Sequence, residues 1–181
     1  DKLFLKDADY RMNPPLREQA DVDAVIEGIC DGTIDCIVTD HAPHTEKDKA
    51  DFYKAPNGVV GLETLLAASV TALLNTGRIT HVRLAELMCV NPRRILGIAG
   101  GNLSVGAEAD ITVFSEHEQW TVEPDKLHSK SKTTCFKGMT FEGKVKYTIL
   151  DGNIVYKDKN IKMCSDKNKP SCQKKGRNYV I

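Results

Sequence analysis

A charge imbalance is the first thing this 181-residue sequence lacks: 25 Lys and Arg face 25 Asp and Glu. That balance argues against a nucleic-acid-binding chain, which carries a basic excess, and against an acidic disordered one. No apolar run approaches the roughly 18–20 residues that cross a bilayer, so no membrane partner is expected. The first residues, Asp1 to Leu5, show no signal-peptide pattern and no initiating methionine, which fits a chain cleaved, processed or cut from a longer one. Close cysteine pairs are also absent. Cys30, Cys36, Cys89, Cys135, Cys164 and Cys172 are scattered with no C-x-x-C, which argues against a zinc knuckle. Reduced, mostly buried thiols in a cytoplasmic protein are the expectation. No H-x-H pair and no internal repeat occur.

What is present divides into three regions: residues 1–100 alternate strand-like and helix-like stretches, 101–158 read as short strands, and 159–181 form a polar tail. Leu3-Phe4-Leu5 and Tyr10-Arg11-Met12 read as extended, the latter because Asn13-Pro14-Pro15 follows. Asp21 is placed to cap a helix with Val22, Val25, Ile26 and Ile29 on its buried face, ended by Asp31-Gly32. Ile34 to Thr39 reads as a buried strand running into Asp40-His41. A helix between Gly61 and Asn75 carries Leu62, Leu65, Leu66, Ser69, Val70, Leu73 and Leu74 on one face and Ala67, Ala68 and Ala72 on the other. Thr80 caps a further helix with Leu84, Leu87 and Met88 inward, and Asn91-Pro92 reads as the start of another. Asp110 to Phe114, Thr133 to Phe136, Lys144 to Leu150 and Asn153 to Tyr156 are strand-like, with a hairpin turn at Asp151-Gly152-Asn153.

Chemistry concentrates in Thr39-Asp40-His41-Ala42-Pro43-His44. A carboxylate at the end of a buried strand is costly unless it is paired or binds a metal. An Asp–His pair that merely caps a loop fits the same residues, and D-H-x-x-H supplies too few ligands for a metal site. Asn13-Pro14-Pro15-Leu16-Arg17 reads either as a rigid turn or as a preset loop that aims Asn13 at a ligand. Ala55-Pro56-Asn57-Gly58-Val59-Val60-Gly61-Leu62-Glu63 reads either as a plain helix approach or as a backbone that comes close to a ligand.

Taken together and in this order, these motifs resemble the dihydroorotases of the long, bacterial and archaeal type. The likeness continues through Asn91-Pro92, Val105 to Asp110, Ser129 to Thr134, Gly143-Lys144-Val145 and Asp151-Gly152, and stops near Lys159. It implies an α/β fold: 1–100 as the C-terminal segment of a TIM-type (β/α)8 barrel, 101–158 as part of a small appended β-sandwich, and 159–181 as a tail. It implies that Asp40 ligates a metal and acts as general base and acid. His44 would contact the substrate carboxylate, Asn13 the pyrimidine ring, and the backbone at Pro56, Asn57 and Gly58 would close on the substrate. Arg17 would hold its loop and His41 would stand behind the metal. His81, His117 and His128 are read as ordinary surface or packing histidines.

The cofactor so implied is zinc, one or two ions, with most ligands outside this chain. The reaction implied is the reversible cyclisation of N-carbamoyl-L-aspartate to dihydroorotate in pyrimidine biosynthesis. The implied partners are the small-molecule substrate, the N-terminal part of the same enzyme, and aspartate transcarbamoylase, with which some family members associate. On this reading the chain alone exposes barrel interior, binds metal poorly and is inactive. Two other readings compete: another cyclic amidohydrolase, such as allantoinase or dihydropyrimidinase, and an inactive dihydroorotase-like scaffold.

Overall fold

A computed structural model describes residues 6–158 and 160–161. Leu3-Phe4-Leu5, Cys164, Cys172 and nearly all of the polar tail lie outside the described residues. The architecture is α/β, with helices packed on an antiparallel sheet.

Helix α1 spans Gln19–Asp31 and stops at Gly32, whose φ of 91° places it in the left-handed region that glycine enters without steric cost. Its N-terminus differs from the expectation. Glu18 holds the cap position, without a side-chain bond, and Asp21 lies in the first turn, 3.2 Å from Arg17. Only Ile29 of the expected apolar face is fully buried. Ile26 packs against the core, while Val22 and Val25 are exposed because the core reaches only the C-terminal end of the helix.

The stretch Ile34 to Thr39 is not a ladder strand, contrary to expectation. Among the described residues its backbone meets helices instead. Ile37 N–H donates to the Leu87 carbonyl at 3.0 Å and Ile34 N–H to the Gly28 carbonyl at 2.8 Å. Val38 is exposed. Tyr10 also departs from the extended reading. It closes a 3-10 turn, Ala8–Tyr10, because the Asp7 carboxylate accepts the Asp9 N–H at 2.9 Å.

Helix α2, Leu65–Ser69, widens into a π turn at Val70–Leu74. The wider turn changes the phase of the apolar stripe. Leu65, Leu66, Val70, Leu73 and Leu74 stay inside and Ala72 is exposed; Leu62, also exposed, lies in the turn ahead of the helix, which begins later than the expected Gly61. Helix α3, His81–Ala85, is capped as expected by the Thr80 hydroxyl, which accepts the Arg83 N–H at 3.2 Å. It continues through a π turn, Glu86–Val90, into α4, Asn91–Leu96. Asn91 is therefore helical rather than a cap. The wide turn just ahead of Pro92 accommodates a ring that would clash with the carbonyl one α-turn back. The Asn91 side chain instead donates to the Asp35 carbonyl at 2.8 Å, and Arg83 donates to the Ile29 and Ile34 carbonyls. These bonds fasten the segment that leads to Asp40 onto the helices.

The sheet contains β1 (Ile111–Ser115), β4 (Lys144–Leu150), β5 (Asn153–Lys157) and β6 (Asn160–Ile161) in the order β1-β4-β5-β6, every pairing antiparallel. A separate ribbon pairs β2 (Trp120–Thr121) with β3 (Thr140–Phe141). The β4–β5 hairpin turns where expected, with positive φ at both Asp151 and Gly152, matching the right-handed strand twist. Thr133 to Phe136 is not a strand. The Thr134 hydroxyl accepts the Phe136 N–H at 3.2 Å and bends the chain there.

The main core joins α1 (Ile29), α2 with its π turn (Leu65, Val70, Leu73) and α3 with its π turn (Leu84, Leu87, Met88), and Phe114 and Val145 of the sheet pack against it. Gly143 meets this core so closely that a Cβ would lie 2.8 Å from Val70. A second cluster groups Ala67, Val122 and Phe141 beneath Trp120 and Phe136. The thiols are less buried than expected: Cys30 and Cys89 are exposed, Cys36 and Cys135 half-buried, and none of the four forms a disulfide. Among the described residues no helix is long and apolar enough to cross a membrane.

Candidate functional site

The fastened 34–37 segment delivers Asp40 to its end with a φ of 43°. That left-handed conformation is unusual for a side chain other than glycine, and Asp and Asn tolerate it best. The Asp40 carboxylate is exposed. The adjacent His41 ring turns inward. Its Nδ1 accepts the Gly61 N–H at 3.1 Å and the Leu62 N–H at 3.4 Å. A nitrogen that accepts carries no proton, so the neutral ring is protonated at Nε2. His41 thereby anchors the approach to α2.

His44 ties the same two segments together. Its Nε2 donates to the Asn57 carbonyl at 2.9 Å, since a carbonyl can only accept. The His44 carbonyl in turn accepts from the Ser131 hydroxyl at 2.6 Å. Backbone bonds run alongside, from Ala42 N–H to the Val59 carbonyl and from Val60 N–H to the Thr133 carbonyl. Gly58 sits at a φ of 126°, and a Cβ there would lie 2.6 Å from the Ala42 Cβ and 2.7 Å from the Ala42 carbonyl oxygen. Only glycine permits this approach of the 56–58 loop to the 40–44 segment.

The structure therefore brings His44, Pro56, Asn57 and Gly58 together, with Asp40 at the head of the same segment. Asn13 is exposed, two residues beyond Arg11, whose carbonyl accepts the Gly58 N–H at 3.1 Å. Arg17 pairs with Asp21 of α1 rather than holding the Asn13 loop.

Two cationic residues not singled out in the sequence complete the assembly. Arg11 donates from Nε to the Asn57 Oδ1 at 3.4 Å and from Nη1 to the Phe52 carbonyl. Lys49, only 7% exposed, donates to the carbonyls of Ala8, Arg11 and Pro56. Burial pushes the Lys49 ammonium pKa down from its ordinary value, against the opposing pull of Asp9. Lys49 sits in the charge-rich run Thr45 to Asp51, which reads as a solvated loop, so no spacing or motif marks it. Glu63 also does more than favour a helix start. Its carboxylate accepts the backbone N–H groups of His128 and Ser129 and pairs with the His128 ring at 2.8 Å. His128 is thus a clamp on the loop that supplies Ser131 and Thr133.

A catalytic zinc site needs about three protein ligands. Among the described residues no three His, Cys, Asp or Glu side chains converge in that way. Asp40 offers one carboxylate, and the neutral His41 ring presents an N–H rather than a lone pair. The described residues do not fit a zinc ion by themselves, and any ion here needs ligands from elsewhere.

The amidohydrolase family model matches residues 12–155. The dihydroorotase of Acetivibrio thermocellus is 48% identical over 150 residues, covering 82% of this chain and 35% of that protein. The dihydroorotase of Caldanaerobacter subterraneus is 50% identical over 155 residues, covering 85% of this chain and 36% of that protein. Among solved structures, the L-hydantoinase (dihydropyrimidinase) of Arthrobacter aurescens superposes with a TM-score of 0.81 at 31% identity, over 88% of this chain and 38% of that one. The chain spans about a third of the length of the curated relatives it matches. With the family match extending over the Asn13, Asp40, His44 and 56–58 segments, this chain belongs to the amidohydrolase family.

Proposed function

We propose that this chain is the C-terminal third of a dihydroorotase, which interconverts N-carbamoyl-L-aspartate and dihydroorotate in the cytoplasm. The observation that carries this reading is the identity of 44–50% to relatives named dihydroorotase, against 31% to the hydantoinase. Residues 1–100 would belong to a β/α barrel, 101–158 to part of a small β-sandwich appended to it, and 159–181 to a tail. Partners would be the remainder of the enzyme and, further, aspartate transcarbamoylase.

Asp40 is the proton carrier in this proposal. Its carboxylate takes a proton from the attacking water and delivers it to the ring nitrogen as the amide C–N bond breaks. In the other direction it takes the proton from the ureido nitrogen. The exposure of Asp40, at the end of the segment fastened to the helices, supports that role. His44 and Asn13 would bind the small anionic substrate, one at its carboxylate and one at its ring, with the Pro56–Gly58 backbone beside them. One or two zinc ions, which Asp40 would help to ligate along with residues outside this chain, would supply Lewis-acid activation of the water and the amide carbonyl.

A second reading, hydantoinase or dihydropyrimidinase activity, draws on the structural likeness to the Arthrobacter enzyme. A substrate panel on the complete enzyme separates the two. Turnover of dihydroorotate well above dihydrouracil and hydantoin is the expected result, and a preference for either of the latter contradicts the proposal.

A further inference from the structure

Lys49 is the one lysine among the described residues whose whole residue is buried. An ammonium has three N–H donors, and a charge removed from water must satisfy all of them. Here they go to the Ala8 carbonyl at 3.0 Å, the Arg11 carbonyl at 3.1 Å and the Pro56 carbonyl at 3.0 Å. None of these acceptors is a carboxylate, so the arrangement is not an ion pair but a three-way tie between backbone segments. Two of those segments are the ones that matter for binding. Ala8 to Arg11 leads directly to Asn13, and Pro56 opens the loop whose Asn57 carbonyl meets His44. The Arg11 carbonyl is shared, because it also accepts the Gly58 N–H.

We infer that Lys49 is the positioning residue of the candidate substrate site, pinning the Pro56–Gly58 loop to the segment that carries Asn13. This inference rests on the proposal that Asn13 and the 56–58 loop bind substrate. Lys49 touches neither substrate nor reacting atoms. It fixes the distance between two binding elements that lie far apart in sequence. Arginine cannot replace it, because a planar guanidinium fork does not aim three donors at carbonyls converging on one point.

The test uses Lys49→Met, which keeps the stem and removes every donor, and Lys49→Arg, which keeps the charge. Amide hydrogen exchange is read on this chain at Gly58, whose N–H is bonded to the Arg11 carbonyl, with Leu73 and Leu87 as core controls. KM and kcat for N-carbamoyl-aspartate are read on the complete enzyme. Both variants should exchange about tenfold faster at Gly58, with the core amides unchanged, which is the scale of one lost hydrogen bond. KM should rise about tenfold while kcat stays within about twofold, as for a loss of binding rather than of chemistry. Lys49→Arg retains the charge, so it keeps the test decisive if Lys49→Met fails to fold. Unchanged exchange at Gly58 overturns the role of Lys49 and leaves the substrate reading standing. Faster exchange with unchanged KM overturns the inference differently: Lys49 would hold the loop, but the loop would not bind substrate.

Discussion

In the sheet, β1, β4 and β5 are joined by backbone pairs from Ile111↔Ile149 to Tyr147↔Lys157, with one register shift in each pairing. Around Asp40 the segments 8–13, 39–44 and 49–62 are joined mainly by side chains bonded to backbone, through His41, His44, Lys49 and Arg11. A ladder spreads its stability over many equivalent bonds, so one substitution removes little. A side-chain tie concentrates it in a few atoms, and each atom sets the position of a binding element. The face that carries the chemistry is therefore the more vulnerable to single changes, while the sheet serves as its stable footing.

The largest effect separates chemistry from fold on the Asp40 side. Asp40→Asn should lower turnover of the complete enzyme by about 10²–10⁴, the range for losing a general acid–base group. Thermal stability should hold, because Asn tolerates the left-handed φ of 43° and the carboxylate is exposed. A parallel loss of the melting transition would assign Asp40 a structural role instead. Next is Leu87→Ala, which empties a fully buried position shared by the helices and the sheet. Denaturant unfolding should show a loss of about 2–5 kcal/mol, felt in both regions.

Gly58→Ala is narrower. It adds a Cβ 2.6 Å from Ala42 at a φ of 126°, at a cost of about 1–3 kcal/mol. Amide exchange should quicken at Ala42, Gly58 and Val60, whose N–H groups are bonded there, while β1, β4 and β5 keep their protection. Equal loosening of the sheet would break the comparison. The smallest effect is confined to the other region. Lys144 and Lys146 bond the carboxylates of Glu118 and Asp158, and those bonds lower both carboxyl pKa values. Depressed carboxyl pKa values contribute stability that is present above the unfolded values near 4 and is lost as pH falls through the folded ones. The groups are half-buried at the surface and still reached by solvent, so screening keeps the effect small. Acid titration followed by nuclear magnetic resonance should show Glu118 and Asp158 titrating below their ordinary values, and normal values would remove this tie from the account.

Much of the fold was legible wherever periodicity and turn chemistry agree. The Thr80 cap, the inward Leu84, Leu87 and Met88, the β4 and β5 strands and the Asp151-Gly152 turn all follow from local residue preferences. The failures have a common physical origin. Val22 and Val25 carry helical spacing, but spacing states only which residues share a face, not how far a core extends along it. Ile34 to Thr39 has strand composition, yet a ladder needs a neighbouring strand, and the described residues offer it helices. The π turns at Val70–Leu74 and Glu86–Val90 shift phase without a compositional mark.

The candidate site was half legible. Asp40, His44, Asn13 and the 56–58 loop stand in recognisable motifs. Lys49 and Arg11 do not, because their partners are backbone carbonyls, which every residue has. Glu63 and His128 meet across 65 positions of sequence, a pairing that no local pattern announces.

The most direct measurement of the central claim is cyclisation of N-carbamoyl-aspartate with zinc present. It compares this chain alone, the remainder of the enzyme alone, and the two combined, the last also with Asp40→Asn. Activity in the combined sample alone, cut by about 10²–10⁴ by Asp40→Asn, is the predicted result. Equal activity without this chain, or full activity with Asp40→Asn, would contradict it.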